Sequence, residues 1–571
     1  MDKYEVLKKY FGYSSFRDGQ EDLIDSILKG RDVLGIMPTG AGKSLCYQVP
    51  ALCMDGITVV VSPLISLMMD QVKSLNQAGV HAAYINSSLT ENQIAKALQN
   101  ARMGQYKIIY VAPERLETER FLNFALNVNI SMVTVDEAHC ISQWGQDFRP
   151  SYLKILQFID RLPKRPVVSA FTATATTIVK KDILEIMKLQ NPEVLVTGFD
   201  RENLFFDVRN GKNRDEKLWQ YLQNHLDESG IIYCATRKNV EKVYEYLEHR
   251  GLPVTRYHAG LSAEERKANQ EDFIYDRKPI VVATNAFGMG IDKSNVRSVV
   301  HYNMPQSMEN YYQEAGRAGR DGMAAECVIF YSPQDVHINK FLIENRGENS
   351  ELTEEQAEEV LKNDRERLWA MAGYCKTQHC LREYILRYFG ANRRRDISGK
   401  NCGNCSSCVN MSGRHEYEDW DYNDSSSSWA EVAGYYNQTY AGTSEGRNFE
   451  RYGMESNGKV VGSRKSSYGT GMYGENAIIA SNSKGKATAI SLEQLSEKEQ
   501  ELFKELKALR LQIAKETSMP PYVIFPDKTL LDMCVRKPTN REEMLQVNGV
   551  GENKYEKYGE EFLASIRKSR N

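Results

Sequence analysis

Over its first 340 residues the chain alternates short apolar, β-branched runs with segments whose apolar residues recur at helical spacing. A strand buried on both faces reads as a continuous apolar run, and a crossover helix needs only one apolar stripe. The alternation therefore predicts parallel α/β sheets. A first set of strands is expected at Val33–Met37, Ile57–Val61, Ile108–Ala112, Val133–Asp136 and Val167–Phe171. A second set is expected at Ile231–Cys234, Val254–His258, Ile280–Ala283, Val299–Tyr302 and Cys327–Tyr331. Two such sets in succession predict two similar domains facing each other across a cleft. The pattern then fades: residues 411–490 are rich in Gly, Ser, Asn and Tyr, hold no Pro, and read as a polar tether. Their tyrosines, Tyr435, Tyr436, Tyr440 and Tyr452 among them, could alternatively stack on single strands. Regularity returns from Ser491, where Leu495, Leu502, Leu506, Leu509 and Ile513 form one helical stripe and predict a small all-α domain.

Bulk properties narrow this picture only a little. At 571 residues the chain should divide into roughly three to five domains. Its net charge of −3 excludes a global basic field, so any nucleic-acid surface must be local. No apolar run approaches the roughly 20 residues that span a bilayer, and the N-terminus does not read as a signal peptide. Eleven cysteines without a secretion signal predict a reducing compartment. Cys46, Cys140, Cys234 and Cys327 stand singly in apolar stretches, as buried thiols do.

Met37-Pro-Thr-Gly-Ala-Gly-Lys-Ser44 follows the first strand and precedes a helical segment. That context suits a phosphate-binding loop: Thr39, Gly40 and Gly42 shape the cradle, Lys43 reaches the β/γ-phosphates and Ser44 holds Mg²⁺. Met37 replaces the first glycine of the strict pattern. Asp136 and Glu137 leave the end of a buried strand, where an acid for the metal and a base to orient water are needed. The loop that follows carries Trp144, Phe148 and Arg149, two stacking faces and a cation suited to unpaired bases, close to His139. Core packing of Trp144 and Phe148 is the competing reading; the polar neighbours Ser142, Gln143, Gln146 and Asp147 count against it. Downstream, Arg317 and Arg320 lie three residues apart, on one face if helical, and could stabilise charge on a γ-phosphate from a neighbouring domain. Cys380, Cys402, Cys405 and Cys408 can converge on one tetrahedral ion, with zinc the first choice and an iron–sulfur cluster the alternative. Cys375 and His379 are nearby but superfluous to a four-thiolate site. Arg393, Arg394 and Arg395 could touch phosphate or line a solvated loop.

The order of these motifs resembles the RecQ family of superfamily 2 DNA helicases, over residues 1–410 and, more weakly, 491–571. The resemblance implies two tandem RecA-like parallel-sheet motor domains (1–205 and 206–340), a helical zinc-binding subdomain (341–410), the linker or degenerate winged-helix region (411–490) and an HRDC-like helical domain (491–571). Phe11-Gly12-Tyr13 with Phe16-Arg17-Asp18-Gly19-Gln20 is similar to the family's N-terminal motif, which implies adenine recognition by Tyr13, Arg17 and Gln20. Ser169–Thr176 is similar to the motif that couples hydrolysis to DNA. Ala283–Asp292 and Gln313–Arg320 resemble the last two motifs, which brings Asp292 into the nucleotide site and makes Arg320 the finger. The family places a winged helix after its zinc site; 411–490 does not read as one, which puts a dedicated strand-separating wedge in doubt. Together these features imply an ATP-, Mg²⁺- and Zn²⁺-dependent enzyme moving 3′ to 5′ on single-stranded and tailed duplex DNA. It would act in repair, recombination and replication as a cytoplasmic, nucleoid-associated bacterial monomer, beside single-stranded-DNA-binding and recombination proteins. An RNA-remodelling ATPase and a DNA-binding scaffold without unwinding are the rival readings.

Overall fold

In the computed structural model, residues 1–226, 228–287, 293–345, 352–391, 402–412, 495–517 and 519–570 are described. The expectations for Asp292, for Arg393–Arg395 and for the 411–490 tether lie outside them, apart from the short helix Ser406–Ser412 at the tether's start.

Thirteen strands form two sheets among the described residues. The first holds β1 (Val33–Ile36), β2 (Ile57–Val61), β3 (Ala82–Ile85), β4 (Ile108–Val111), β5 (Ile130–Val135), β6 (Val167–Thr172) and β7 (Glu193–Val196), ordered β3-β4-β2-β5-β6-β1-β7. The second holds β8 (Leu204–Asn210), β9 (Ser229–Tyr233), β10 (Val254–Tyr257), β11 (Ile280–Ala283), β12 (Val296–His301) and β13 (Ala325–Tyr331), ordered β10-β11-β9-β12-β13-β8. Every pairing is parallel. The ten expected strands all form. The three that patterning missed, β3, β7 and β8, lie at sheet edges, where one flank is solvated and the apolar run breaks up.

The order of the first sheet positions the site. β6 lies between β1 and β5, so the carboxyl ends of these three strands are neighbours, and ligands of open parallel sheets bind outside those ends. The segments leaving them are the phosphate-binding loop, Thr172–Thr176 and the Asp136-Glu137 pair.

One apolar cluster runs from Leu34 and Val133 through Phe199 and Phe206 to Ile329, Tyr374 and Cys405. Both sheets and the helical module Glu354–Lys376, Leu381–Tyr388 thus share a core. The C-terminal helices close a separate core around Leu502, Leu506, Ile513 and Phe562. Leu495 is buried there too, while Leu509, expected in the same stripe, is only partly covered. A fully buried Arg510 crosses that bundle to the Phe525 carbonyl at 2.7 Å and to Asp527 at 2.7 Å. No described helix is long and apolar enough to cross a membrane.

Candidate nucleotide site

The loop after β1 bends because Gly40 and Gly42 both sit at φ +84°, where L side chains are strained. A Cβ on Gly42 would also lie 2.5 Å from Gln20 Nε2, so a side chain there would displace the Gln20 amide from the loop. The helix Lys43–Cys53 starts at once, so its unpaired amides face the loop, the arrangement that binds phosphate. Lys43 Nζ rests 3.3 Å from the Met37 carbonyl. Burial pulls its pKa down, while Glu137 and Asp136 pull it back up.

The N-terminal motif braces this loop. Gln20 Nε2 donates to the carbonyls of Ala41 (3.0 Å) and Gly42 (3.1 Å), and Arg17 Nη1 donates to Gly40 O at 2.5 Å. The expected adenine-recognising amide of Gln20 is therefore spent on loop backbone in this arrangement. Tyr13 is 47% exposed.

Asp136 is delivered by β5, and its Oδ1 accepts the Glu137 amide at 3.0 Å. Burial, then the Glu137 charge, raise its pKa to about 7. That shift marks a carboxylate suited to a cationic partner. Glu137 itself is left-handed (φ 49°), at a cost of roughly 1–2 kcal/mol for a non-glycine residue. The strained turn aims Glu137 at His139, whose Nδ1 lies 3.3 Å from Glu137 Oε2 and 2.9 Å from Thr172 Oγ1. Burial lowers the His139 pKa against the pull of Glu137. Thr172 Oγ1 donates to Thr174 O (3.3 Å), and Thr174 Oγ1 accepts from Gln313 Nε2 at 3.2 Å. The path from the acid pair thus ends in the second domain. His139, expected at the DNA, is buried inside this path instead.

Arg317 and Arg320 do not share a helix face. The helix Met308–Ala315 stops before them, and they occupy the turns after it, where Gly319 takes φ +54°. The turns press on the phosphate-binding loop: a Cβ on Gly316 would lie 3.2 Å from Thr39 Cβ, and one on Gly40 would lie 3.2 Å from Arg320 Cγ. Behind Arg317, Tyr233 stacks on His301 at 5.4 Å, and His301 Nε2 lies 2.8 Å from Glu314 Oε2.

The aromatic loop also departs from expectation. Phe148 is only 8% exposed and packs inward, so it offers no open face to a base. Trp144 is partly buried against the core shared by the two sheets. Arg149 pairs with Asp147 at 2.9 Å and donates to Pro63 O at 3.0 Å. Gly145 tolerates no side chain, since a Cβ would meet the His139 carbonyl at 2.2 Å. The backbone is gripped from the helix Glu354–Lys376: Asn363 donates to Gln143 O (3.2 Å) and Arg367 to Trp144 O (2.9 Å). Sequence reading missed both residues, because nothing local distinguishes them from other polar positions of that helix.

The four expected cysteine sulfurs all lie within 4.8 Å of one another, with Cys402 and Cys408 at 3.7 Å. Zn–S bonds of about 2.3 Å in a tetrahedron set sulfurs about 3.8 Å apart, so the group fits one zinc ion. Cys375 is buried in the core and, like His379, stands outside the group.

Family models match the chain in order: DEAD/DEAH box helicase over 17–182, helicase conserved C-terminal domain over 213–322, RecQ zinc-binding over 333–409 and HRDC domain over 499–566. A relative named ATP-dependent DNA helicase RecQ from Bacillus subtilis (strain 168) is 40% identical over 592 aligned positions, covering 98% of each chain. A protein of the same name from Pasteurella multocida is 36% identical, covering 99% of this chain and 93% of its own. Among solved structures, Mss116p bound to single-stranded RNA and AMP-PNP superposes with a TM-score of 0.51 at 18% identity, covering 68% of this chain and 85% of that one. That likeness concerns the fold alone.

Proposed function

Because the chain belongs to the RecQ family of helicases, we propose that it is an ATP-dependent DNA helicase that steps 3′ to 5′ along single-stranded DNA and opens tailed duplexes. One observation carries the reading. A continuous path, Glu137–His139–Thr172–Thr174–Gln313, ties the acid pair of one domain to the arginine-bearing segment of the other. A change at either end can therefore be felt at the other.

ATP would bridge the domains, its phosphates on Lys43 and the helix amides, with Arg317 and Arg320 stabilising the charge that develops at the γ-phosphate. Ser44 and Asp136 would hold Mg²⁺, which would supply positive charge against the phosphates. Glu137 would orient a water, a role its strained turn supports. Loss of the γ-phosphate removes the partner that draws the arginines in, so the cleft loosens and the domains shift along the strand. Trp144, with its carbonyl fixed by Arg367, is the stacking residue that would report DNA to this path. Phe148 is left a packing role.

The test compares ATPase stimulation by single-stranded DNA and by RNA of equal sequence, then unwinding of 3′- and 5′-tailed duplexes. Strong DNA stimulation and opening of the 3′-tailed substrate are expected. Equal stimulation by RNA would favour an RNA-remodelling enzyme, and absence of hydrolysis would leave a scaffold.

A further inference from the structure

Between the two sheets, residues 197–203 cross from β7 to β8. They fall between the two matched motor regions and carry Arg201. Its guanidinium reaches both sides of the cleft at once. Nη1 donates to the Thr39 carbonyl of the phosphate-binding loop (2.9 Å) and to Gly316 O (3.4 Å). Nη2 donates to Ala318 O (3.0 Å) and Gly319 O (2.8 Å), in the turn that holds Arg317 and Arg320. Asn203 doubles the grip on that turn, donating to Gly319 O (2.9 Å) and Met323 O (2.7 Å).

The crossing segment is itself held from behind. Arg382 pairs with Asp200 and donates to the Arg201 carbonyl (2.9 Å) and to Leu204 O (2.5 Å). Arg382 follows Cys380 by two residues, and Asn404, between two other members of the cysteine group, donates to Glu202 O (2.7 Å) and Leu204 O (3.1 Å). Phe199 accepts from the Tyr312 hydroxyl through its carbonyl (2.9 Å) and stacks on Phe389 at 4.6 Å. The cysteine module and the helix before the arginines therefore fix the backbone from which Arg201 reaches out.

We propose that Arg201 is a positioning residue, a latch that holds the phosphate-binding loop and the arginine turn in register, anchored through Arg382 to the cysteine module. The inference deepens the helicase reading and rests on it for the meaning of the site. Four carbonyls in two directions need a planar fork of donors, which guanidinium supplies and an ammonium on a single point does not. A lysine at 201 keeps the charge and loses the geometry. Since nucleotide can still dock on the first domain, the latch should act on kcat more than on KM.

Two measurements test this with the full chain. In the first, Arg201→Lys is expected to lower kcat for ATP about 100-fold while KM moves less than about threefold. Asp200→Asn, which loosens the anchor without touching the fork, should lower kcat several-fold and serves if Arg201→Lys does not fold. A KM that rises with kcat unchanged, or a kcat within threefold of the parent in both variants, overturns the latch. The second readout needs no activity. Amide hydrogen exchange across residues 316–323, whose carbonyls Arg201 and Asn203 hold, should be several-fold faster with Arg201→Lys than in the unsubstituted protein. Equal exchange in the two proteins would overturn the latch, whereas faster exchange with Arg201→Lys in a chain that hydrolyses no ATP would overturn only the helicase reading.

Discussion

On the first domain's side of the cleft, Gly40, Gly42 and Glu137 take their conformations from the turns they sit in, each at a positive φ fixed by its own few neighbours. On the second domain's side, Arg317 and Arg320 hang from turns whose carbonyls are gripped by Arg201, 117 residues upstream of Ala318. The first side takes its shape from its own backbone, is braced by Arg17 and Gln20 of the same domain and has one carbonyl, Thr39 O, held by Arg201. The second has three carbonyls held by that one distant side chain. The difference teaches where the moving part lies. A loop braced mainly from within its own domain can hold nucleotide throughout a cycle, while a turn held mainly by a distant side chain can be engaged and released.

The largest effect expected from this contrast is a split between two variants. Arg320→Ala should lower kcat about 10³-fold with nucleotide binding retained, and Lys43→Ala should abolish nucleotide binding itself. A fluorescent ATP analogue titrated against both proteins checks it, and equal loss of binding in the two would erase the distinction. Next, Trp144→Ala should cut the stimulation of ATPase by single-stranded DNA about tenfold while the basal rate and the KM for ATP stay near the parent's. Undiminished stimulation would remove Trp144 from the coupling route. A smaller change, about fivefold in kcat, is expected for Gln313→Ala, which deletes one hydrogen bond between the domains. A larger drop accompanied by lost DNA response would show that the Glu137–Gln313 path carries more than one bond's worth of coupling.

The smallest effect concerns pH. Asp136 binds its proton more tightly folded than unfolded, with a pKa raised to about 7. Its influence on metal-free stability is therefore most favourable in acid, declines as pH rises through the ordinary carboxylate range to about 7, and is flat above. Mg²⁺ competes with that proton, so it should raise the thermal midpoint more at about pH 8 than at about pH 6. Scanning calorimetry with and without Mg²⁺ reads the difference, and the reverse order would mean that Asp136 is not the metal's carboxylate.

Much of this was legible before any fold was known. The phosphate-binding loop, the acid pair and the four cysteines announce themselves through residue type and spacing, because each chemistry needs fixed groups a few residues apart. The two-sheet architecture followed from apolar runs, and only the edge strands β3, β7 and β8 escaped. Misreadings arose where side-chain direction decides. Phe148 read as a stacking face because its neighbours are polar, yet its side chain is buried. For Gln20, read as an adenine partner, the structure shows only that its amide rests on the Ala41 and Gly42 carbonyls. The arginine pair read as helical, yet the helix ends at Ala315 and Gly319 turns left-handed beyond it.

The sequence by itself determined the chemistry on offer: a phosphate cradle, a carboxylate pair, two arginines and a zinc-fitting cysteine group, each encoded over a short stretch by backbone and side-chain preference. Only the tertiary structure decided how they meet. Arg201, Arg367 and Arg382 earn their places through carbonyls 162, 223 and 178 residues away. A carbonyl is present at every residue, so no pattern of side chains could reveal which ones the folded chain would bring within their reach.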